Sequence, residues 1–337
     1  MLIAWLETVV AMEALKQGLD WVEQTPKPVL YSLAAIGAAP ALCYIGAYLG
    51  RMWEYTGRKE LDLPARYGPK SYVLITGASE GIGKSLTYEF AKRGFNLVLL
   101  ARRTPILQDI KATLEQLYSI SVEIVTYDLS LGADPRHLYA QVVQPLAALD
   151  VSILVNNAAL ITEQWFAEVS QADLQSLLNV NVKALTFLTH ALLPRLAGRQ
   201  YRSAVVNLNS FSGLYPLPYA SLYSGSKSYL RSFSASLTSE LYSSNVDVLN
   251  SIVGLTATRM TGYRRYLTSS EDVARSILLD LGKRSESLTC FTFAKQVLAN
   301  DRQGLERVIA WSKAFYPVFA RATQKAKARL ATTNPSS

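Results

Sequence analysis

Cysteine and histidine are nearly absent: the 337 residues contain two of each, Cys43 with Cys290 and His137 with His190. Two widely separated cysteines leave no disulfide framework and no thiolate cluster for zinc, which fits a reduced, cytosol-facing setting. Two histidines with no carboxylates grouped around them argue against a metal site. No arginine precedes Arg51, and acids interrupt the apolar positions of the N-terminal segment. Neither an Arg-rich transit peptide nor a cleavable signal peptide fits that start. Charged residues make up only 18% of the chain against 50% hydrophobic, which excludes a disordered tail protein. Fixed-period repeats and low-complexity tracts are missing as well. The formal charge of +8 suits nucleic acid, an anionic membrane or an anionic substrate equally, because each is attracted by the same Coulomb interaction. No nucleic-acid-binding module accompanies it, so nucleic acid is not an expected partner.

What is present first is one long uncharged run. Residues 29–50 carry no charge, and about 20 apolar residues suffice to cross a bilayer core as a helix. Lys27 and Arg51 bound the run, and Tyr31, Tyr48, Trp53 and Tyr55 lie near its ends, where aromatic side chains favour the interface. Pro40 near its middle predicts a kink. Arg51, Arg58, Lys59, Arg66 and Lys70 follow the run, whereas Lys16 and Lys27 precede it. The positive-inside rule then puts the C-terminal bulk in the cytosol. Before the run, Leu2, Trp5, Leu6, Val9, Met12, Leu15, Leu19 and Val22 recur at helical steps, predicting an amphipathic helix. After Arg302, Leu305, Val308, Ile309, Trp311, Phe315 and Phe319 alternate with basic residues, predicting a basic amphipathic tail that either lies on an anionic leaflet or covers the substrate cleft.

Between these ends the pattern changes to short strands alternating with helices. Residues 72–76, 96–101, 122–127, 151–155, 204–208 and 246–253 are runs rich in branched apolar side chains. Continuous apolar strands separated by amphipathic helices predict a parallel sheet covered on both faces, a doubly wound α/β fold of Rossmann type, here with an N-terminal transmembrane helix. The first of these strands runs into Thr76, Gly77, Ala78, Ser79, Glu80, Gly81, Ile82, Gly83 and Lys84, and a helix follows at once. Glycines there serve a tight turn, close approach to a pyrophosphate and close helix packing, while the helix N-terminus offers unpaired amides to phosphate.

The Gly-x-x-x-Gly-x-Gly spacing resembles the short-chain dehydrogenase/reductase superfamily, and further stations of that pattern follow in order. Asp128 follows the third strand, Asn156, Asn157, Ala158 and Ala159 end the fourth, Asn181 lies in a helical stretch, Ser210 follows the fifth strand, and Tyr223 with Lys227 forms Tyr-x-x-x-Lys. The resemblance covers about residues 71–260. It implies cofactor contacts from Gly77, Ser79, Glu80, Gly81, Ile82, Gly83, Asp128, Asn157, Tyr223 and Lys227. It implies catalysis by Tyr223, Lys227, Ser210 and Asn181, with Asn181 holding a water that links Lys227 to solvent. Ser212 fits the family separation from the tyrosine less well than Ser210, and Asn181 is preferred to Asn179 because the family asparagine begins an Asn-Val-like helical step followed by small residues, here Ala184. Four residues apart on a helix, Tyr223 and Lys227 share a face, and an ammonium near a phenol of ordinary pKa about 10 is expected to lower it. Tyr223 would then pass a proton to a carbonyl oxygen that Ser210 also holds.

The second strand ends in Ala101, Arg102 and Arg103, where NAD-preferring members carry an acid. Arginine there suits a 2′-phosphate, so the implied cofactor is NADPH/NADP, with Arg102 the leading contact. The segment 205–218, the glycine turn and the 257–260 segment resemble the membrane-bound branch that holds very-long-chain 3-oxoacyl-CoA reductases and 17β-hydroxysteroid dehydrogenases. That branch implies a lipid acyl-CoA or a steroid as substrate, with reduction of a 3-oxoacyl-CoA as the leading expectation. It also implies an endoplasmic reticulum membrane location with the catalytic domain facing the cytosol, and it admits a homodimer and contacts with other fatty-acid elongation enzymes. The reading from another class is a non-catalytic membrane scaffold. The expected organisation is an amphipathic segment 1–28, a span 29–50, a linker 51–70, the reductase domain 71–300 and the basic tail 301–337.

Overall fold

In the computed structural model the chain divides into two compact units, Met1–Arg58 and Lys59–Ser337. Described are residues 59–131, 135–261 and 268–289, together with the isolated positions 26, 28 and 46. The expected segments 1–28 and 301–337 and the expected span 29–50 lie essentially outside them. No helix among the described residues is long and apolar enough to cross a membrane.

Seven strands among the described residues form one parallel sheet: β1 (Tyr72–Thr76), β2 (Asn96–Ala101), β3 (Val122–Thr126), β4 (Val151–Asn156), β5 (Ser203–Ser210), β6 (Val246–Val253) and β7 (Glu286–Thr289). They are ordered β3-β2-β1-β4-β5-β6-β7. The chain therefore winds outward from β1 to β3, then crosses back beside β1 with β4 and winds the other way. At that reversal the loops leaving β1 and β4 diverge, which opens a crevice beyond the C-terminal ends of the strands. The helices that cover the sheet are α2 (Gly81–Lys92), α3 (Thr104–Tyr118), α4 (Pro135–Leu138), α5 (Gln171–Leu178), α6 (Leu185–Ala197), α7 (Ser221–Glu240) and α8 (Ser270–Asp280). His137 lies on α4 beside Tyr127, 3.1 Å from its hydroxyl.

Alternation along the strands builds two cores. Val73, Ile75, Leu97, Leu99, Val206 and Leu208 join Phe90, Leu107 and Ile277 on one face. Leu74, Val98, Leu100, Leu154 and Val205 join Leu188 and Leu192 on the other. Both faces are apolar because both are covered, which is why the strands read as continuous hydrophobic runs. β7 was not among the expected strands. It is a four-residue edge segment containing Glu286 and Ser287, and it lacks the branched apolar run that marks the others.

The expected linker departs from its sequence reading. Residues 63–67 form a short helix, α1 (Leu63–Tyr67), started by Asp62, whose side chain accepts from the Ala65 amide at 3.0 Å. Leu63 and Tyr67 are fully buried in the first core. α1 is clasped to the start of β6: Asp247 accepts from Arg66 Nε at 2.9 Å, from the Tyr67 hydroxyl at 2.8 Å and from Arg202 Nη2 at 2.6 Å. Burial pushes the Asp247 carboxyl up, but the hydrogen bonds from Arg202, Arg66 and Tyr67 outweigh it and hold the group below the usual carboxylate range. A folded-state pKa depressed in this way contributes stability above the unfolded value of about 4, and that contribution is lost as pH falls through the folded value. Asp247→Ala is expected to cost about 2 kcal/mol, since it strands partly buried donors, and to flatten the acid limb of stability. Urea unfolding from pH 7 down to pH 3 measures both effects; equal stability of variant and parent at pH 7 would contradict the assignment.

Candidate active site

The turn between β1 and α2 lies at the crevice. Gly77 and Gly81 have φ of +67° and +56°, the left-handed region that favours glycine. A Cβ on Gly83 would lie 2.3 Å from the Gly77 carbonyl oxygen and 2.4 Å from Asn157 Nδ2. Glu80 is the N-cap of α2 in extended conformation and makes no side-chain cap. The first amides of the helix therefore have no side-chain partner from the capping position, and the glycines leave the backbone bare. That geometry fits a pyrophosphate. Ser79 and Glu80 point at arginines instead: Arg103 donates to Ser79 at 3.3 Å and pairs with Glu80 at 2.8 Å, and Arg259 pairs with Glu80 at 3.4 Å. Ile82 packs against the first core.

Asn157, expected beside the cofactor, braces the turn. Its Nδ2 donates to the Thr76 carbonyl at 2.8 Å and to the Gly77 carbonyl at 3.2 Å, while Thr76 Oγ1 accepts from the amides of Asn157 and Ala158. Arg102 is exposed and pairs at 3.6 Å with Asp128. Burial pushes Asp128 up, but hydrogen bonds from Ser130 and the charge of Arg102 bring it below the usual carboxylate range. Both arginines thus flank the crevice, but Arg103 and not Arg102 touches the glycine turn.

Across the crevice, Ser210 ends β5 and Tyr223 and Lys227 lie one turn apart on α7. A 3-10 turn, Phe211–Gly213, presses against that helix. A Cβ on Gly213 would come within 2.9 Å of Asn209 Oδ1 and of the Lys227 backbone, so only glycine fits. Ser210 lies close enough to the phenol of Tyr223 to lower its pKa in part, and Lys227 Nζ donates to the Leu208 carbonyl at 2.8 Å. Tyr223 and Lys227 are both buried.

The expectation that Lys227 lowers the Tyr223 pKa is corrected by the surroundings. Burial raises the phenol above its ordinary value, Ser210 opposes this in part, and the carboxylate of Glu163 adds to the rise. Lys227 Nζ stands over the Tyr223 ring, 5.7 Å from its centroid, and is bonded to the Leu208 carbonyl. Burial lowers Lys227 itself to about 8.

Asn181 lies in a π-helical stretch, Asn179–Ala184, a widened turn of a kind that recurs at functional sites. Its Oδ1 accepts from the Leu160 amide at 2.8 Å, and its Nδ2 donates to the Leu160 carbonyl at 2.8 Å and to Ser226 at 3.1 Å. The side chain fastens the loop after β4 to the helix that carries Tyr223. Asn179 faces elsewhere, donating to the Ser130 carbonyl at 2.9 Å. Ser212 gives its amide to Ser210 Oγ at 3.2 Å, and its own buried hydroxyl has no partner among the described residues.

Two groups were missed from the sequence. Glu163 is a lone exposed acid in a loop, without any motif to mark it. Its neighbour Gln164 donates its amide to the carbonyl of Tyr219 at 2.9 Å, a residue held at φ +64°, which joins the loop after β4 to the loop before α7. Asn207, Asn209 and Asn250 are buried amides within strands. Polar residues at inward-facing positions of otherwise apolar strands were the available signal.

A bare glycine turn after the first strand of a parallel sheet whose strand order reverses there, with a part-buried Ser at the end of β5 and a buried Tyr and Lys on α7, is the arrangement of a Rossmann-type α/β dehydrogenase. The model of the family described as short chain dehydrogenase matches residues 71–266, and the chain belongs to that family. It is 33% identical over 232 residues to a very-long-chain 3-oxoacyl-CoA reductase of Scheffersomyces stipitis, across 65% of this chain and 66% of that protein. It is 32% identical over 257 residues to the protein of the same name in Podospora anserina, across 75% of this chain and 74% of that one. The match to the first of these spans just under two thirds of the relative's length. Among solved structures, a short-chain dehydrogenase from Sphingobium yanoikuyae in complex with NADPH superposes with a TM-score of 0.61 at 29% identity, covering 70% of this chain and 95% of that one.

Proposed function

We propose that this protein reduces the ketone of a 3-oxoacyl-CoA to the 3-hydroxyacyl-CoA with NADPH, in the elongation of very long fatty acids. The observation that carries the reading is Tyr223, buried one helical turn from Lys227, whose Nζ stands 5.7 Å from the centre of its ring, with burial raising the phenol above its ordinary pKa. Similarity to the two fungal reductases supports the substrate. Exposed Trp165, Phe166, Leu217 and Tyr219, on the two loops joined beside Tyr223, support an apolar substrate chain.

When bound, NADPH would supply the hydride for the carbonyl carbon. Tyr223 gives its proton to the carbonyl oxygen, Ser210 donates a hydrogen bond to the same oxygen as charge develops, and Lys227 sets the positive potential beneath the phenol. The amides at the start of α2 would hold the pyrophosphate, and Arg102 and Arg103 the 2′-phosphate. We place the protein in the endoplasmic reticulum membrane through a span at 29–50, with the catalytic domain facing the cytosol; the charge-free run and its basic C-terminal flank support this.

NADPH oxidation by the full chain in a membrane preparation, with long-chain 3-oxoacyl-CoAs beside ketosteroids, tests the reading. Turnover of the acyl-CoAs is expected; turnover of ketosteroids alone would replace the substrate, and NADPH binding without turnover of any ketone would return the scaffold reading. Arg102→Glu is expected to lower the preference for NADPH over NADH at least about tenfold, the size of a lost charge-assisted hydrogen bond. An unchanged ratio of kcat/KM for the two cofactors would remove Arg102 from the phosphate site.

A further inference from the structure

We infer that Asn209 is a positioning residue for Ser210, and that it is itself held by a hydrogen-bond chain that returns to the helix bearing Tyr223 and Lys227. The inference rests on the reading of Ser210 as the donor to the substrate oxygen. Asn209 Oδ1 accepts from the Ser210 amide at 2.7 Å. Its Nδ2 donates to Asn250 Oδ1 at 3.0 Å, and Asn250 Nδ2 donates to Glu286 Oε2 at 2.8 Å. Glu286 accepts a two-pronged bond from Arg231, Nε to Oε2 and Nη2 to Oε1, both at 3.0 Å. Arg231 is one turn beyond Lys227 on α7. The path thus leaves Ser210 at the end of β5, crosses β6 and β7, and closes on the helix that supplies its two partners in the site.

Three features separate this from ordinary packing. Asn209 and Asn250 are 4% and 2% exposed, where water cannot replace a lost partner. Beyond the first bond, which lies within β5, the path joins β5 to β6, β6 to β7 and β7 to α7 through side chains, so these bonds are additional to the backbone ladder of the sheet. Gly213, the last residue of the turn after Ser210, approaches both Asn209 Oδ1 and the Lys227 backbone so closely that no side chain fits, which places Asn209 between the serine and the lysine-bearing helix. Acting through the Ser210 amide, Asn209 fixes the direction of a serine whose backbone is otherwise at a strand terminus. Its contribution should then vanish when the Ser210 hydroxyl is absent.

The test is a double-variant cycle in the full chain with Asn209→Ala, Ser210→Ala and both together, read as kcat for a 3-oxoacyl-CoA, with NADPH affinity and amide exchange at Ser210 measured alongside. Asn209→Ala is expected to lower kcat about tenfold with NADPH affinity changed less than about twofold, and to lower kcat by less than about twofold in the Ser210→Ala background, since groups acting as a unit are non-additive. Exchange at the Ser210 amide is expected to quicken about tenfold as its acceptor is lost. Equal losses of kcat in both backgrounds, or unchanged exchange, would overturn the inference. If the parent protein turns over no ketone, the proposed function fails, and exchange at Ser210 still decides whether Asn209 holds it. Should Asn209→Ala fail to fold, Glu286→Ala, at the exposed end of the path, carries the same cycle and exchange measurement with a smaller effect in the same direction.

Discussion

Tyr223→Phe is expected to lower kcat about a thousand-fold, within the range that a positioned general acid contributes, while NADPH binding and thermal stability stay close to those of the parent. The change removes one oxygen from a side chain whose ring is buried and retained, so packing is nearly unaltered. Ser210 Oγ keeps the Ser212 amide as its donor. The pH dependence separates the tyrosine from the lysine. With its pKa raised by burial, Tyr223 stays protonated through the neutral and mildly alkaline range, whereas Lys227 loses its proton as pH rises through about 8. Reduction should therefore be fastest below that value and decline above it, where the positive charge beneath the phenol is lost. Pre-steady-state reduction rates from pH 6 to 10 measure this. A flat profile would remove the charge of Lys227 from the reaction, and a Phe variant within tenfold of the parent would remove Tyr223 from the acid role.

Gly83→Ala is the second change with a large expected effect. Alanine gains about 1 kcal/mol over glycine in a helix, so propensity alone predicts a stabilised α2. The tertiary contacts reverse the sign. The added Cβ would sit 2.3 Å from the Gly77 carbonyl oxygen and 2.4 Å from Asn157 Nδ2. Neither neighbour yields freely, because Asn157 is fastened to both Thr76 and Gly77 and the carbonyl is backbone. The turn must open by a substantial fraction of an ångström, at a net cost of about 2 kcal/mol. Displacement of this size at a binding turn costs about a hundredfold in function. Thermal melting and NADPH titration are the measurements. An alanine variant as stable as the parent with unaltered NADPH affinity would show that the turn is not the phosphate cradle.

The core of the site was legible wherever its chemistry is local. The glycine turn and the Tyr-x-x-x-Lys pair each occupy a few consecutive residues, and the Asn-Val step followed by Ala184 was the local reason to prefer Asn181 to Asn179, whose side chain donates to the Ser130 carbonyl. Less legible were contacts made across the sheet. Arg102 and Arg103 are adjacent in sequence and chemically alike, but only the fold brings Arg103 to Ser79 and Glu80 and leaves Arg102 on Asp128. The expected linker carried Leu61, Leu63 and Tyr67, too few apolar positions for a helical period, and joins the folded domain because Asp247, some 180 residues away, receives Arg66 and Tyr67.

By itself the sequence determined the alternation of apolar strands and helices, and with it a parallel sheet covered on both faces, because side-chain periodicity is set within each segment. It also marked the candidate site residues, among them Ser210, Tyr223 and Lys227. The tertiary structure alone decided the state of those groups. Lys227 is four residues from Tyr223 and was expected to lower its pKa; the fold instead buries both, so desolvation disfavours the phenolate and the ammonium alike. Desolvation is the joint effect of every element packed around a group, and no spacing along the chain encodes it.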